Sequence, residues 1–171
     1  REVESREVAA SVLAATEAVL NADGRVLARR SCLVLGSRGA IGKELCRALG
    51  GRLDAPPQQL VGIDLVANGA GPVAGIAEGK VLADLGDRWL DVDLVLGVTG
   101  DSVLTGADLE RWLLHGRHDQ LALASGSTKK VEFRGLMAWF ESLLQSRSPT
   151  LQGEPVQVAV EELLDPRTAR V

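Results

Sequence analysis

The chain has no tyrosine, and aromatic residues of every kind make up only 3% of its 171 residues. A proton relay through a phenol is therefore excluded, and there is little on which nucleic-acid bases could stack. Positive charge is short as well: 19 lysines and arginines stand against 23 acids, a net charge of −4, which offers no general attraction to a phosphate backbone. Together these shortages predict no nucleic-acid partner. Cysteine is scarce at two residues, with Cys32 inside an apolar run and Cys46 in a predicted helix. Each reads as a small buried hydrophobe and not as half of a disulfide or metal site. The two histidines, His115 and His118, straddle a predicted helix end at Gly116 with no acid or thiol cluster beside them, which favours a helix-terminus role over a metal pair. No apolar run approaches the roughly 20 residues of a membrane-spanning helix. The acidic, amphipathic start also lacks a signal peptide's basic-then-apolar order. The expectation is a soluble cytoplasmic protein that engages no membrane. There is no Ser-His-Asp order, Walker loop or HExxH sequence, and no internal repeat.

What is present is a chain long enough for one domain, able to bury roughly two-thirds of its unfolded surface without disulfides or metal. It starts at Arg1 without a methionine, and the expectation is a piece of something longer. Residues 1–24 read as a leading helix and residues 25–171 as the domain proper. Val8, Val12, Ala15 and Val19, with Leu13 and Leu20 beside them, give an approximate 3.6-residue period from Val3 to Leu20 that Asn21-Ala22-Asp23-Gly24 stops. Cys32-Leu33-Val34-Leu35 is a short apolar run ending in glycine, the pattern of a strand buried on both faces. Ile41, Leu45 and Leu49 mark a helix closed by Gly50-Gly51.

After the loop Asp54-Ala55-Pro56-Pro57, a second strand reads at Leu60–Ile63 and ends at Asp64. Asn68 to Gly79 is rich in glycine and reads as irregular, with a distorted turn of helix around Val73 to Glu78 as the alternative. Lys80–Ala83 is predicted as a third strand, Leu85 to Leu90 as a helical turn and Val92–Val98 as a fourth strand. Ala107–His115 is predicted helical, with Leu109, Trp112 and Leu113 inward and Thr105 or Gly106 at its start. Gln120–Ala124 reads as a fifth strand. Val131–Leu144 has Phe133, Leu136, Met137, Phe140 and Leu143/Leu144 at helical spacing, a core stripe. Val156, Val158 and Val160 alternate as a sixth strand. Asp84, Asp87, Asp91 and Asp93 lack calcium-loop spacing and read as a solvated edge. Lys129-Lys130 reads as a solvated pair, with a phosphate or carboxylate contact as the alternative.

Strands alternating with helices imply a mostly parallel sheet covered on both faces, because parallel strands need right-handed crossovers. The predicted class is α/β: a Rossmann-like, doubly wound sheet of about six strands in the order 3-2-1-4-5-6, with the leading amphipathic helix outside it. Ligands in such sheets bind beyond the strands' carboxyl ends, beside the first strand. At that point stands Gly36-Ser37-Arg38-Gly39-Ala40-Ile41-Gly42. A chain leaving a strand, passing beneath a pyrophosphate and entering a packed helix needs missing side chains at each step. N–H groups around Ala40, Ile41 and Gly42 would face the phosphates, with the helix dipole assisting. The spacing is G-x-x-G-x-x-G, not G-x-G-x-x-G, and a tight turn without a ligand is the alternative. Asp64 follows Gly42 by 22 positions at a predicted strand end, where an acid accepts hydrogen bonds from ribose hydroxyls. It favours NAD over NADP. Arg38 pulls toward a phosphate, or is simply solvated. The loops Thr99-Gly100-Asp101-Ser102 and Ser125-Gly126-Ser127-Thr128 would border the same crevice and offer hydroxyls and N–H groups, of which Thr99, Gly100 and Ser125 are taken as candidate ligand contacts.

These residues resemble the NAD-binding domain of adenosylhomocysteinase. The resemblance runs from Ser5 to Phe133: a leading helix, the strand with Gly39-Ala40-Ile41-Gly42-Lys43, the acid Asp64, Val98-Thr99-Gly100, then Val103-Leu104-Thr105-Gly106 and a helix, the strand Leu121–Ala124, and Val131-Glu132-Phe133. It implies tightly held, recycled NAD, which in that family oxidises the 3′-hydroxyl of the substrate's ribose. Departures are plain: Ser37 stands where the family's first glycine belongs. If Gly126 matches the glycine after the fifth strand, Ala124 replaces an asparagine and Ser127 a histidine near the nicotinamide. The family's catalytic acid, base and substrate pocket lie in another domain. The turn also resembles that of extended short-chain dehydrogenases, whose Tyr-x-x-x-Lys pair is impossible here. The expected function is a NAD-binding unit, not catalytic alone and partnered with a catalytic domain or its own copies. The alternatives are a cofactor-free interaction module, or an NAD(P)-dependent oxidoreductase completed by another domain or subunit.

Overall fold

The computed structural model describes residues 2–64, 77–126, 131–147 and 149–159. The chain opens with helix α1, Glu2–Ala22, whose inward side is Ala9, Leu13, Thr16 and Leu20. The predicted stripe Val8, Val12, Ala15 and Val19 is only half buried, so the helix is rotated by one residue from expectation. Both stripes are largely apolar, and packing decides between them. Ala9 is small enough for close approach, and Thr16 can be buried because its hydroxyl donates to the Val12 carbonyl at 2.8 Å.

Strand β1, Cys32–Leu35, is buried at every position and feeds helix α2, Ala40–Gly50. Pro56–Gln59 forms a single helical turn, α3, where a loop was expected; the prolines stand at its first positions, where no N–H is needed. Strand β2 is Leu60–Ile63. Strand β3 is Ala77–Gly79, three residues before the predicted Lys80–Ala83. The displaced segment instead begins a run of 3-10 turns, Leu82–Asp91, bent at Gly86 with φ 54°. The cause is local: the Asp84 carboxylate accepts the N–H groups of Lys80 (2.7 Å) and Val81 (3.1 Å), starting a turn where the apolar pattern alone reads as a strand. Those bonds hold the Asp84 carboxyl below its usual range. Of the segment Asn68 to Gly79 expected to be irregular or a distorted helical turn, residues 68–76 lie outside the described residues and Ala77–Gly79 is instead the strand β3, paired with β2.

Strand β4 is Leu94–Gly97, and helix α4, Gly106–His115, starts at a Thr105 N-cap whose hydroxyl accepts the Asp108 N–H. Strand β5 is Ala122–Ser125 and helix α5 is Arg134–Leu144, beginning later than expected at Val131. On α5 Leu136 and Phe140 are buried, while Met137 and Leu144 face solvent. The final described strands, β6 at Thr150–Leu151 and β7 at Glu154–Pro155, form an antiparallel hairpin. Its two-residue turn has positive φ at Gln152 (50°) and Gly153 (83°), matching the twist of the flanking strands. The predicted sixth strand over Val156, Val158 and Val160 does not form at 156–159, and Val160 lies outside the described residues. The Val156 N–H instead donates to the Pro149 carbonyl at 3.0 Å, beside the hairpin.

The sheet is parallel throughout, in the order β3-β2-β1-β4-β5. Alternation divides its side chains between two cores. Cys32, Val34, Leu60, Leu94 and Leu96 meet α1 and α2 through Leu13, Leu20, Leu45 and Leu49. Leu33, Leu35, Val61, Ile63 and Val95 meet Trp89, Leu109, Trp112, Leu136 and Phe140. Each fully buried aliphatic side chain contributes about 1.5–3 kcal/mol. The indole N–H groups of the two buried tryptophans are satisfied, Trp89 donating to the Asp108 carbonyl (2.9 Å) and Trp112 to that of Val92 (2.8 Å). Among the described residues no helix is long and apolar enough to cross a membrane.

Asp93 departs from the solvated edge expected of its neighbourhood. It is buried, accepts the Ser31 N–H (2.7 Å) and pairs with Arg30 (2.8 Å), tying the segment before β1 to the start of β4. Asp87 and Asp91 do lie at the surface, paired with Arg111 and Arg117.

Candidate functional site

Strand β1 has β2 on one side and β4 on the other, and the chain's windings diverge there, the point at which parallel α/β sheets generally take ligands. The turn Gly36–Gly42 occupies that point. Gly36 has φ 88°, and a Cβ there would lie 3.0 Å from the Thr99 side chain and 3.2 Å from its backbone nitrogen. At Gly42 a Cβ would fall 1.8 Å from the Gly36 carbonyl oxygen, so α2 can pack this close to the turn only through glycine. Gly39 is different. Its φ of −66° suits any residue, its Cβ would make an ordinary 3.4 Å contact with the Gly36 carbonyl oxygen, and it is exposed. The fold's own geometry thus demands glycine at two of the three positions and leaves the third unexplained.

Gly39 is also the N-cap of α2 and carries no side-chain oxygen to cap it. The first i→i−4 bond of the helix runs from the Lys43 N–H to the Gly39 carbonyl at 2.9 Å. The N–H groups of Ala40, Ile41 and Gly42 therefore have no acceptor within the helix. Behind them the turn is held firmly. The N–H groups of Gly36 (2.7 Å) and Ser37 (3.3 Å) donate to the Ile63 carbonyl, and the Arg38 N–H donates to the Asp64 carboxylate at 2.8 Å.

Ser37, Arg38 and Asp64 belong to a polar cluster that includes a residue the sequence reasoning missed. Glu78, at the middle of β3, accepts from the Ser37 hydroxyl (3.0 Å) and pairs with the Arg38 guanidinium (3.1 Å). Ser37 is fully buried, and space for it comes from Gly62 of β2, where a Cβ would sit 2.7 Å from the serine side chain. Arg38 is therefore ion-paired, not simply solvated. Glu78 was hidden because the strand containing it was expected three residues later.

Across β1 a second buried acid escaped notice. Glu132 is wholly buried, accepts from the Ser125 hydroxyl at 2.6 Å and from the Gly100 N–H at 3.3 Å, and lies over Gly97, whose Cβ would approach its Cγ to 3.0 Å. Glu132 thus links two of the predicted contacts, Gly100 and Ser125, across β4 and β5. Its signal was in the sequence as the Val131-Glu132-Phe133 stretch, but apolar periodicity assigned it to a helix face. Thr99 spends its hydroxyl locally, donating to the Asp101 carbonyl (2.8 Å) and accepting the Asp101 N–H (2.9 Å). Ser127, Thr128, Lys129 and Lys130 lie outside the described residues.

The thiols are not part of the site. Both are buried, and burial pushes the Cys46 thiol up to about 12 and the Cys32 thiol higher still. His115 ends α4, and His118 bonds to the Asp91 carbonyl at 2.8 Å. Among the described residues no His, Cys, Asp and Glu group could hold a metal ion.

The parallel order β3-β2-β1-β4-β5, the helices on both faces and the glycine turn at the end of β1 define a Rossmann-type α/β domain. Solved structures share this fold. A 2-hydroxyacid dehydrogenase from Ketogulonicigenium vulgare Y25 matches with a TM-score of 0.52 and 19% identity, covering 81% of this chain and 47% of that one. A phosphoglycerate oxidoreductase from Rhizobium etli matches with a TM-score of 0.52 and 20% identity, covering 82% of this chain and 46% of that one. A glycerate dehydrogenase related protein from Thermoplasma acidophilum matches with a TM-score of 0.51 and 14% identity, over 82% and 52%. The chain spans about half the length of these structures. No protein-family model matches the sequence, and no curated protein matches it significantly.

Proposed function

We propose that this chain is a dinucleotide-binding domain that holds NAD in preference to NADP, as the cofactor unit of a larger enzyme of the adenosylhomocysteinase type. The observation that carries the reading is Gly39: a glycine that neither its φ nor its packing requires, exposed at the tip of the turn before three N–H groups with no acceptor in the helix. A backbone free of side chain at that point lets a pyrophosphate approach closely, and the N–H groups of Ala40, Ile41 and Gly42 would donate to it. Asp64, which clasps the Arg38 N–H from the carboxyl end of β2, supports the reading, because a carboxylate at that strand end would accept from adenosine ribose hydroxyls. When bound, NAD would supply hydride chemistry; the described residues bind and orient it. The order of the leading helix, turn, Asp64, Val98-Thr99-Gly100 and Val131-Glu132-Phe133 supports the adenosylhomocysteinase comparison. Substrate and proton-transfer groups would come from a partner domain or another copy of the chain.

Thermal unfolding with NAD tests the reading. At a concentration of about 100 times its dissociation constant, NAD stabilises the folded state by about 2.7 kcal/mol. For a domain of this size that is a rise of roughly 5–11 °C in Tm. No shift with millimolar NAD, NADH, NADP or NADPH would overturn the proposal in favour of a cofactor-free module.

A further inference from the structure

Two carboxylates stand together beside the turn. Asp64 follows the last residue of β2, and its N–H donates to the Gly79 carbonyl of β3 at 3.1 Å, which brings the carboxyl ends of the two strands side by side. Glu78 precedes Gly79, and its side chain is only 5% exposed. A carboxylate so far removed from water must be compensated by its neighbours, and here Arg38 and Ser37 do so with separate oxygens. The Arg38 side chain as a whole remains 31% exposed, with its Nε committed to Glu78.

We propose that Glu78 sets nucleotide selectivity at this turn by holding the Arg38 guanidinium against β3 and away from an adenosine 2′-phosphate. This inference rests on the dinucleotide reading above. Arg38 is the cation the turn itself contributes, and an arginine at such a position, if free, pairs well with a phosphate. Spent on Glu78, it leaves a 2′-phosphate to face Asp64 and an already neutralised ion pair. An adenosine with a free 2′-hydroxyl meets no such repulsion, because a hydroxyl donates to the Asp64 carboxylate. Selectivity therefore lies in two layers: Asp64 repels the extra phosphate, and Glu78 withholds the arginine that would otherwise offset that repulsion.

Calorimetric titration of NAD, NADP, 5′-AMP and 2′,5′-ADP into wild type, Glu78→Gln and the double variant Arg38→Ala/Glu78→Gln tests this. Glutamine keeps an acceptor for Ser37 but gives up the charge that holds Arg38. Wild type should bind NAD at least about tenfold more tightly than NADP, a difference of about 1.4 kcal/mol. Glu78→Gln should bind NAD within about threefold of wild type yet gain at least about tenfold for NADP and 2′,5′-ADP, and the double variant should lose that gain. If Glu78→Gln fails to fold by circular dichroism, Arg38→Ala decides in its place: with the arginine already withheld by Glu78, its loss should leave NADP affinity within about threefold of wild type, and a loss of about tenfold or more overturns the inference. Wild type binding NADP as tightly as NAD overturns the inference, as does unchanged NADP affinity in a folded Glu78 variant that retains NAD, or a gain that persists without Arg38. Failure of wild type to bind any of the four ligands overturns the dinucleotide reading itself, and the inference with it.

Discussion

Alanine at Gly42 and alanine at Gly39 should have opposite consequences, although both remove a glycine from the same turn. At Gly42 the new Cβ would lie 1.8 Å from the Gly36 carbonyl oxygen and 2.7 Å from its carbon, so helix and turn must separate by on the order of 1.5 Å to restore normal contact. That movement drags Leu45, Cys46 and Leu49 out of register with the sheet. Overpacking of this kind costs about 1–3 kcal/mol, or roughly 2–12 °C in Tm for a domain of this size. At Gly39 the Cβ meets only the Gly36 carbonyl oxygen at 3.4 Å, and φ is −66°. The poorer N-cap and the lower entropy of the unfolded chain offset each other to within about 1 kcal/mol, so Tm should move by no more than about 4 °C. Yet the added methyl stands on the exposed side of the turn, where a pyrophosphate would approach. Circular dichroism melts and NAD calorimetry on the two variants measure both effects. Gly39→Ala should keep its fold and lose at least about tenfold in NAD affinity. A folded Gly39→Ala that binds NAD like wild type would refute the assignment of that glycine to a ligand. An unchanged Tm in Gly42→Ala would refute the packing argument.

Asp64→Ala should weaken NAD by about 10- to 100-fold, the range for losing hydrogen bonds to a charged group, while weakening NADP less. Equal affinity of the variant and wild type for NAD in calorimetry would remove the ribose role. The thiols offer a pH test. Folding lifts Cys46 from an ordinary 9.0 to about 12 and raises Cys32 in the same direction, so between those limits the native state retains protons that the unfolded chain has released. Stability contributed below pH 9 is then lost as pH rises, at about 1.4 kcal/mol per pH unit for each thiol. Urea melts at pH 8 and pH 10 check the slope. Iodoacetamide at pH 8 should label neither thiol in the native protein and both in urea; rapid native labelling would contradict the burial.

The alternation of short apolar runs with helical periods was enough to identify a parallel α/β sheet, because a strand buried on both faces and a helix with one apolar stripe leave different local signatures. The glycine turn was equally legible: φ 88° at Gly36 and the contact at Gly42 are demands that only glycine meets, and they act within seven residues of chain. Asp64 could be placed for the same reason, since the strand before it is short and uninterrupted. What lay outside local pattern was decided by packing. Which side of α1 turns inward depended on how closely α2 could approach, and whether Lys80–Ala83 extends or turns depended on the Asp84 carboxylate finding two backbone N–H groups. Glu78 and Glu132 illustrate the limit best. A glutamate in sequence is a solvated residue by default. Only the assembled sheet shows that Gly62 makes room for Ser37 against Glu78, that Gly97 makes room for Glu132, and that each buried acid is compensated by partners from the other side of a strand or from a loop. The kind of fold and the position of the turn are written in the local pattern of residues, because they follow from backbone conformation and nearest-neighbour periodicity. How Arg38 is spent and which acids lie buried around the turn emerge only from packing, because burial and charge compensation join residues far apart in the chain.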